Sequence, residues 1–172
     1  MYKVKSFLFV GFVLLAMAGV LGGCDSDPDP DPPKVSKLVP DGLLGKWNPD
    51  NLGGDWYNIT RSGTTETVNY GFGEDIQWGG IVRSVIAFDD QNGVIIIELN
   101  EIGYKDPAKL FTAVYYLNFT ANTSVELNMV MDATAADWNA DAATLQEAKD
   151  KFTMDDMENY IDLSYSSSYS RE

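Results

Sequence analysis

The chain reads as a mainly β protein: an antiparallel up-and-down barrel or strongly curved sheet of about eight strands, with one or two short helices before the last strand. Three observations carry this reading. Apolar and polar residues alternate with period two through most of residues 41–172. Turn-forming residues separate the alternating runs, among them Ser62-Gly63 and Asn92-Gly93. A single helical signature, "TLQEAKDKF", stands shortly before the end.

Taken in order, "LLGKW" supplies the first strand. "DWYNITR" and "TETVNY" flank Ser62-Gly63 as a short polar hairpin. "GGIVRSVIAF" and "GVIIIELN" flank "DDQNG", where Asn92-Gly93 is predicted to supply the positive backbone angles of a tight turn. "FTAVYYLNF" places Phe111, Ala113, Tyr115, Leu117 and Phe119 on one face, with Thr112, Val114, Tyr116 and Asn118 opposite. "SVELNMVMD" places Val125, Leu127, Met129 and Met131 against Ser124, Glu126, Asn128 and Val130. Joined by "TANT", these two runs predict a hairpin with one side buried. "ATAADWNADAAT" reads as a loop or broken helix. In "TLQEAKDKF", Thr144 precedes Glu147 at capping-box spacing, and Leu145, Ala148 and Phe152 share a side. "MDDMENY" makes a second short turn capped by Thr153, and "YIDLSYS" completes the strand count.

Charge narrows the partners. Twelve Lys+Arg stand against 26 Asp+Glu, a net charge of -14 across 172 residues. Without the first 23 residues, which hold two bases and no acid, the balance is 10 against 26. Such a surface repels phosphate backbones and anionic headgroups, which argues against nucleic acid as a partner and against polybasic membrane binding. The chain has 1 Cys and no His, so it has no internal disulfide, no imidazole base and no ordinary zinc site. Neither a metal nor a cofactor is expected.

The start of the chain carries an address. "MYKVKS" is cationic, residues 7–21 are apolar, and "LGGC" follows at Leu21, Gly22, Gly23 and Cys24. The apolar run is shorter than the roughly 20 residues of a spanning helix. "LGGC" at this distance from such a leader resembles the lipobox of bacterial lipoproteins. That resemblance implies a signal peptide over residues 1–23, with Leu21, Gly22 and Gly23 read by a signal peptidase and diacylglycerol attached at Cys24. Membrane attachment through several acyl chains, at ~0.8 kcal/mol per buried methylene, would be effectively permanent. Residues 24–40 form an acidic, proline-rich tether beginning "CDSDPDPDPPK". Extended at ~3.1 Å per residue it would reach roughly 40 Å. The expected location is the cell envelope, at the outer membrane or cell surface rather than the inner membrane, with the sorting role of Asp25 depending on the host.

Residues 41–172 form the β-rich domain. "LLGKWN", with Gly45 and Trp47 in a Gly-X-Trp opening, resembles lipocalin-like barrels, which implies a helix before the final strand and an interior with room for one small ligand. "GVIIIE", "VYY", "TLQEAKDKFT" and "ENYI" together resemble uncharacterised lipoproteins of spirochaetes across most of residues 43–161, implying an envelope location without an assigned activity.

Several residues are candidates for a site. Trp47, Trp56, Tyr57, Tyr70 and Trp78 gather among glycines, where rings fill a core, line an apolar pocket or stack on a glycan. A ligand cavity would be lined by Trp47, Tyr57, Phe111 and Tyr115. Arg83 alternates with Ile81, Val85 and Ala87; outward it is simply solvated, inward it would need an anion. "FDDQNG" fails as a calcium loop, because Phe88 stands at its first ligand position and Leu99 at its twelfth. Glu74-Asp75, Asp89-Asp90 and Asp155-Asp156 have ordinary roles in turns and at helix starts. No catalytic residue is assigned and the protein is read as a non-enzyme. The leading expectation is a carrier of a small apolar ligand or a surface module, the rival is an adhesion or protein-interaction module with a filled barrel, and a hydrolase of envelope polymers ranks third.

Overall fold

A computed structural model describes residues 37–50, 53–100, 110–131, 141–161 and 167–172. The leader, the Leu21–Cys24 motif, the tether through residue 36 and most of "ATAADWNADAAT" lie outside the described residues. The strands are β1 (Gly45–Pro49), β2 (Asp55–Ser62), β3 (Thr65–Phe72), β4 (Asp75–Ala87), β5 (Gly93–Leu99), β6 (Phe111–Thr120), β7 (Ser124–Met129) and β8 (Ser168–Arg171). Two helices, α1 (Leu145–Lys151) and α2 (Met157–Tyr160), lie between β7 and β8. Each strand pairs antiparallel with the next, and β8 pairs back onto β1 to close an eight-stranded barrel. Closure removes both sheet edges.

Local chemistry explains the elements. Gly63 (φ 59°) and Gly73 (φ 60°) take the left-handed backbone that two-residue hairpin turns need. Thr144 accepts a hydrogen bond from the Glu147 amide, and the Glu147 carboxylate accepts one from the Ala143 amide, so a reciprocal cap starts α1. Thr153 Oγ1 accepts from the Asp156 amide in the turn before α2, but the N-cap of α2 is Asp156, without a side-chain cap bond, so Thr153 shapes the approach and does not cap the helix as expected. β4 carries two irregularities, at Gln77 against β3 and at Arg83 against β5, and such bulges sharpen the twist that lets a sheet curl shut.

Four further expectations are corrected. Asn92 and Gly93 do not make a positive-φ turn; the loop is held by Asp89, whose Oδ1 accepts from the amides of Gln91 and Asn92. Gly93 belongs to β5, where an added Cβ would lie 2.6 Å from the Ile86 carbonyl oxygen and closer still to the Tyr116 hydroxyl. Arg83 does not share a face with Val85: the bulge lets Val85 pack toward the interior while Arg83 stays exposed and paired with Glu98. β6 is buried on both faces, not one. The final strand is Ser168–Arg171 rather than "YIDLSYS", whose Tyr160 ends α2 and whose residues 162–166 lie outside the described residues.

Two apolar layers result. Inside the barrel, Trp47, Tyr57, Ile59, Val68, Val82, Ile95, Ile97, Val114, Tyr116, Val125 and Leu127 pack together. Outside it, α1 and α2 lay Ala148, Phe152 and Met157 over Val94, Ile96, Ala113, Tyr115 and Leu117 of β5 and β6. Positive φ at Asn118 interrupts the β6 alternation, so Phe119 turns to the interior cluster and meets Tyr116 edge-on at 6.2 Å.

The two barrel ends differ. At the end where β1 begins, a short 3-10 turn (Asp41–Leu43) and the residues before it form a plug that buries Val39 and Leu43. Val39 therefore packs with the barrel, although its position falls within the stretch read as tether. The first described residues, 37–40, lie at this plugged end. At the opposite end, where β1, β3 and β7 finish, lies a pocket.

Candidate functional site

Register builds the site. A two-residue turn at Gly63-Thr64 sets Tyr57 opposite Tyr70 and Asp55 opposite Phe72. Closure of the barrel sets Tyr169 of β8 opposite Pro49 of β1. The β7–β8 pairing covers only Ser124–Glu126, so beyond it Leu127, Asn128 and Met129 border open space. Together with Asp55, Tyr57, Tyr70, Met131, Ile161, Ser167 and Tyr169 they line a pocket of about 180 Å³. Drug-sized ligands occupy sites of roughly 300 Å³ and more, so this pocket suits only a small molecule.

Aromatic rings form its wall. Tyr57 lies 5.1 Å from Tyr70 and 5.3 Å, edge-on, from Tyr169. Trp78 stacks behind Tyr70 at 5.7 Å. The Tyr169 hydroxyl donates to the Asp55 carboxylate. The Trp78 indole N–H and the Asn128 side-chain amide nitrogen are buried donors without partners among the described residues. Exposed Phe72 and Met131 add apolar surface where β3 and β7 finish.

Burial pushes the phenols of Tyr57 and Tyr169 far above the ordinary tyrosine range, and the nearby Asp55 charge pushes them in the same direction. Tyr70 is raised for the same two reasons. A phenol with a raised folded-state pKa favours the protonated fold; that stability is fully present below the ordinary value of about 10 and is lost as pH rises past it. The buried tyrosines are therefore expected to ionise only as the barrel opens, with tyrosinate absorbance and loss of the far-ultraviolet circular dichroism rising together above pH ~10. Full ionisation of all 9 tyrosines with the dichroism intact would contradict the buried setting.

Of the eight candidates named from the sequence, Tyr57 and Tyr70 line this pocket and the other six do not. Trp47 is fully buried in the interior and donates from Nε1 to the Leu43 carbonyl at 2.8 Å. Trp56 lies on the outer face, its Nε1 bonded to the Gly73 carbonyl and Lys46 Nζ 5.7 Å from its ring. Trp78 supports Tyr70 from behind, and Arg83 is on the surface. Phe111 and Tyr115 belong to the layer under the helices, where the Tyr115 hydroxyl donates to the Thr153 carbonyl at 2.9 Å. A single cavity shared by Trp47, Tyr57, Phe111 and Tyr115 is thus corrected: successive residues of β6 face opposite sides of the barrel wall. Asp55, Asn128, Met129 and Tyr169 were not singled out from the sequence. Among the described residues Asp55 is the one acid lining the pocket.

In comparisons with protein-family models, with curated proteins and with solved structures, none matches this chain at a significant level.

Proposed function

We propose that the chain is a lipid-anchored, exported protein whose barrel binds a small, largely apolar ligand in the pocket at its open end. The observation that carries this reading is the difference between the ends: one is closed by Val39 and Leu43, while the other holds a concavity walled by tyrosine rings and edged by Asp55 and Asn128. A mainly apolar recess with a few polar groups is the usual form of a small-molecule site. The "LGGC" motif supports the anchor at Cys24. A second reading, contact with a surface protein or glycan, is favoured by the β3–β4 hairpin, which exposes Phe72 and Ile76.

Mass spectrometry of the full chain, produced in a lipoprotein-processing bacterium and kept in detergent, tests both parts. Under denaturing conditions the expected mass lacks residues 1–23 and gains acyl chains that a Cys24→Ser variant does not carry. Under native conditions a further small mass is expected, released on denaturation. An unprocessed mass removes the anchor, and a bare native mass moves the site to the hairpin surface.

A further inference from the structure

The charge balance of the pocket is uneven. Asp55 brings a carboxylate, none of the lining side chains is basic, and no basic side chain pairs with Asp55 among the described residues. Among the described residues its side-chain partner is the Tyr169 hydroxyl, a neutral donor that occupies one of about four lone-pair sites on an ionised carboxylate. Around it stand the electron-rich rings of Tyr57, Tyr70 and Tyr169, with Leu127 and Met129 as apolar neighbours. Ring faces attract cations, and a carboxylate forms its strongest hydrogen bonds with charged donors. The same arrangement repels a carboxylate ligand.

From this we infer that the pocket selects a small organic cation, a protonated amine with an apolar body. Its ammonium group would donate to the free lone pairs of Asp55, and its hydrocarbon part would lie against the tyrosine rings, Leu127 and Met129. The net charge of -14 raises the local concentration of any such cation before it reaches the mouth. This inference rests on the ligand-binding reading of the pocket and names the class of ligand.

The test compares three probes of one shape, benzylammonium, benzyl alcohol and benzoate, by titration calorimetry against the full chain in detergent at pH 7. Benzylammonium is expected to bind at least tenfold more tightly than benzyl alcohol, with no heat from benzoate. In Asp55→Asn that preference is expected to vanish. In Asp90→Asn, which removes one negative charge from the loop at the plugged end, the preference is expected to persist. Equal binding of the amine and the alcohol overturns the cation inference and keeps the carrier reading. No binding by any probe overturns both. A preference that survives in Asp55→Asn or is lost in Asp90→Asn overturns the assignment to this carboxylate. The comparison of probes on the unaltered protein decides even where Asp55→Asn does not fold.

Discussion

Replacing Trp47 with alanine is expected to lower the unfolding free energy by about 4 kcal/mol, the range seen when a large aromatic is removed from a packed core. Trp47 is wholly inaccessible and sits in the interior cluster opposite Tyr57. Its indole N–H also satisfies the Leu43 carbonyl, so truncation opens a void and leaves a polar atom of the plug without its partner. For a domain of this size the loss corresponds to a fall in Tm of roughly 10 °C. Urea titration at 25 °C should show a lower midpoint with an unchanged slope, because the surface exposed on unfolding hardly differs. Trp47→Phe, which keeps most of the volume and loses the hydrogen bond, should cost about 1–2 kcal/mol. A loss below about 1 kcal/mol for the alanine variant would mean that the interior is not packed around this ring.

Much of the architecture was legible because its signals are local. Period-two alternation marks seven strands correctly, and the Thr144–Glu147 spacing marks α1. The pocket register was not legible to the residue: the sequence marks the turn at Ser62-Gly63, whereas the loop is Gly63-Thr64, and that one-residue difference is what sets Tyr57 opposite Tyr70 and Asp55 opposite Phe72. What escaped depends on long-range closure or on breaks in alternation. Tyr169 meets Asp55 across 114 positions, and only the β1–β8 pairing brings them together, from a serine-rich tail that carries no strong strand signal. At Arg83 one extra residue shifts the faces of everything after it, which a regular period cannot show. Gly93 looked like a turn glycine, but its lack of a Cβ is required by the Tyr116 hydroxyl on the neighbouring strand. The double burial of β6 did leave a trace, since "VYYL" is apolar on both faces, as expected of a strand covered on its outside.

Glu66 is expected to be the most costly charged residue to lose, because it holds the plug in the barrel. Its position in β3 reads as one more polar residue in a polar hairpin, yet it is only 5% exposed. Its Oε2 accepts from the amides of Leu38 and Val39 at 3.1 and 3.0 Å, and its Oε1 accepts from Arg61 Nε at 2.6 Å. Arg61 in turn donates to the Val39 carbonyl at 2.5 Å and pairs with the exposed Asp41. Glu66→Ala therefore strands two backbone donors and takes from Arg61 Nε its carboxylate partner, while Arg61 keeps Asp41 and the Val39 carbonyl. Breaking a buried ion pair costs 3–5 kcal/mol, and because Arg61 keeps some contact with water the lower end applies, about 3 kcal/mol. In a cycle with Arg61→Ala the two losses are expected to fall short of additivity by about 2 kcal/mol, since each change alone already breaks the shared pair. Amide exchange separates this account from general weakening. The Leu38 and Val39 amides should exchange far faster in Glu66→Ala, while amides in the centres of β5 and β6 should follow only the change in global stability. Additive losses in the cycle, or protection of those two amides that falls only as much as that of the core strands, would show that the plug is held by Val39 and Leu43 burial alone.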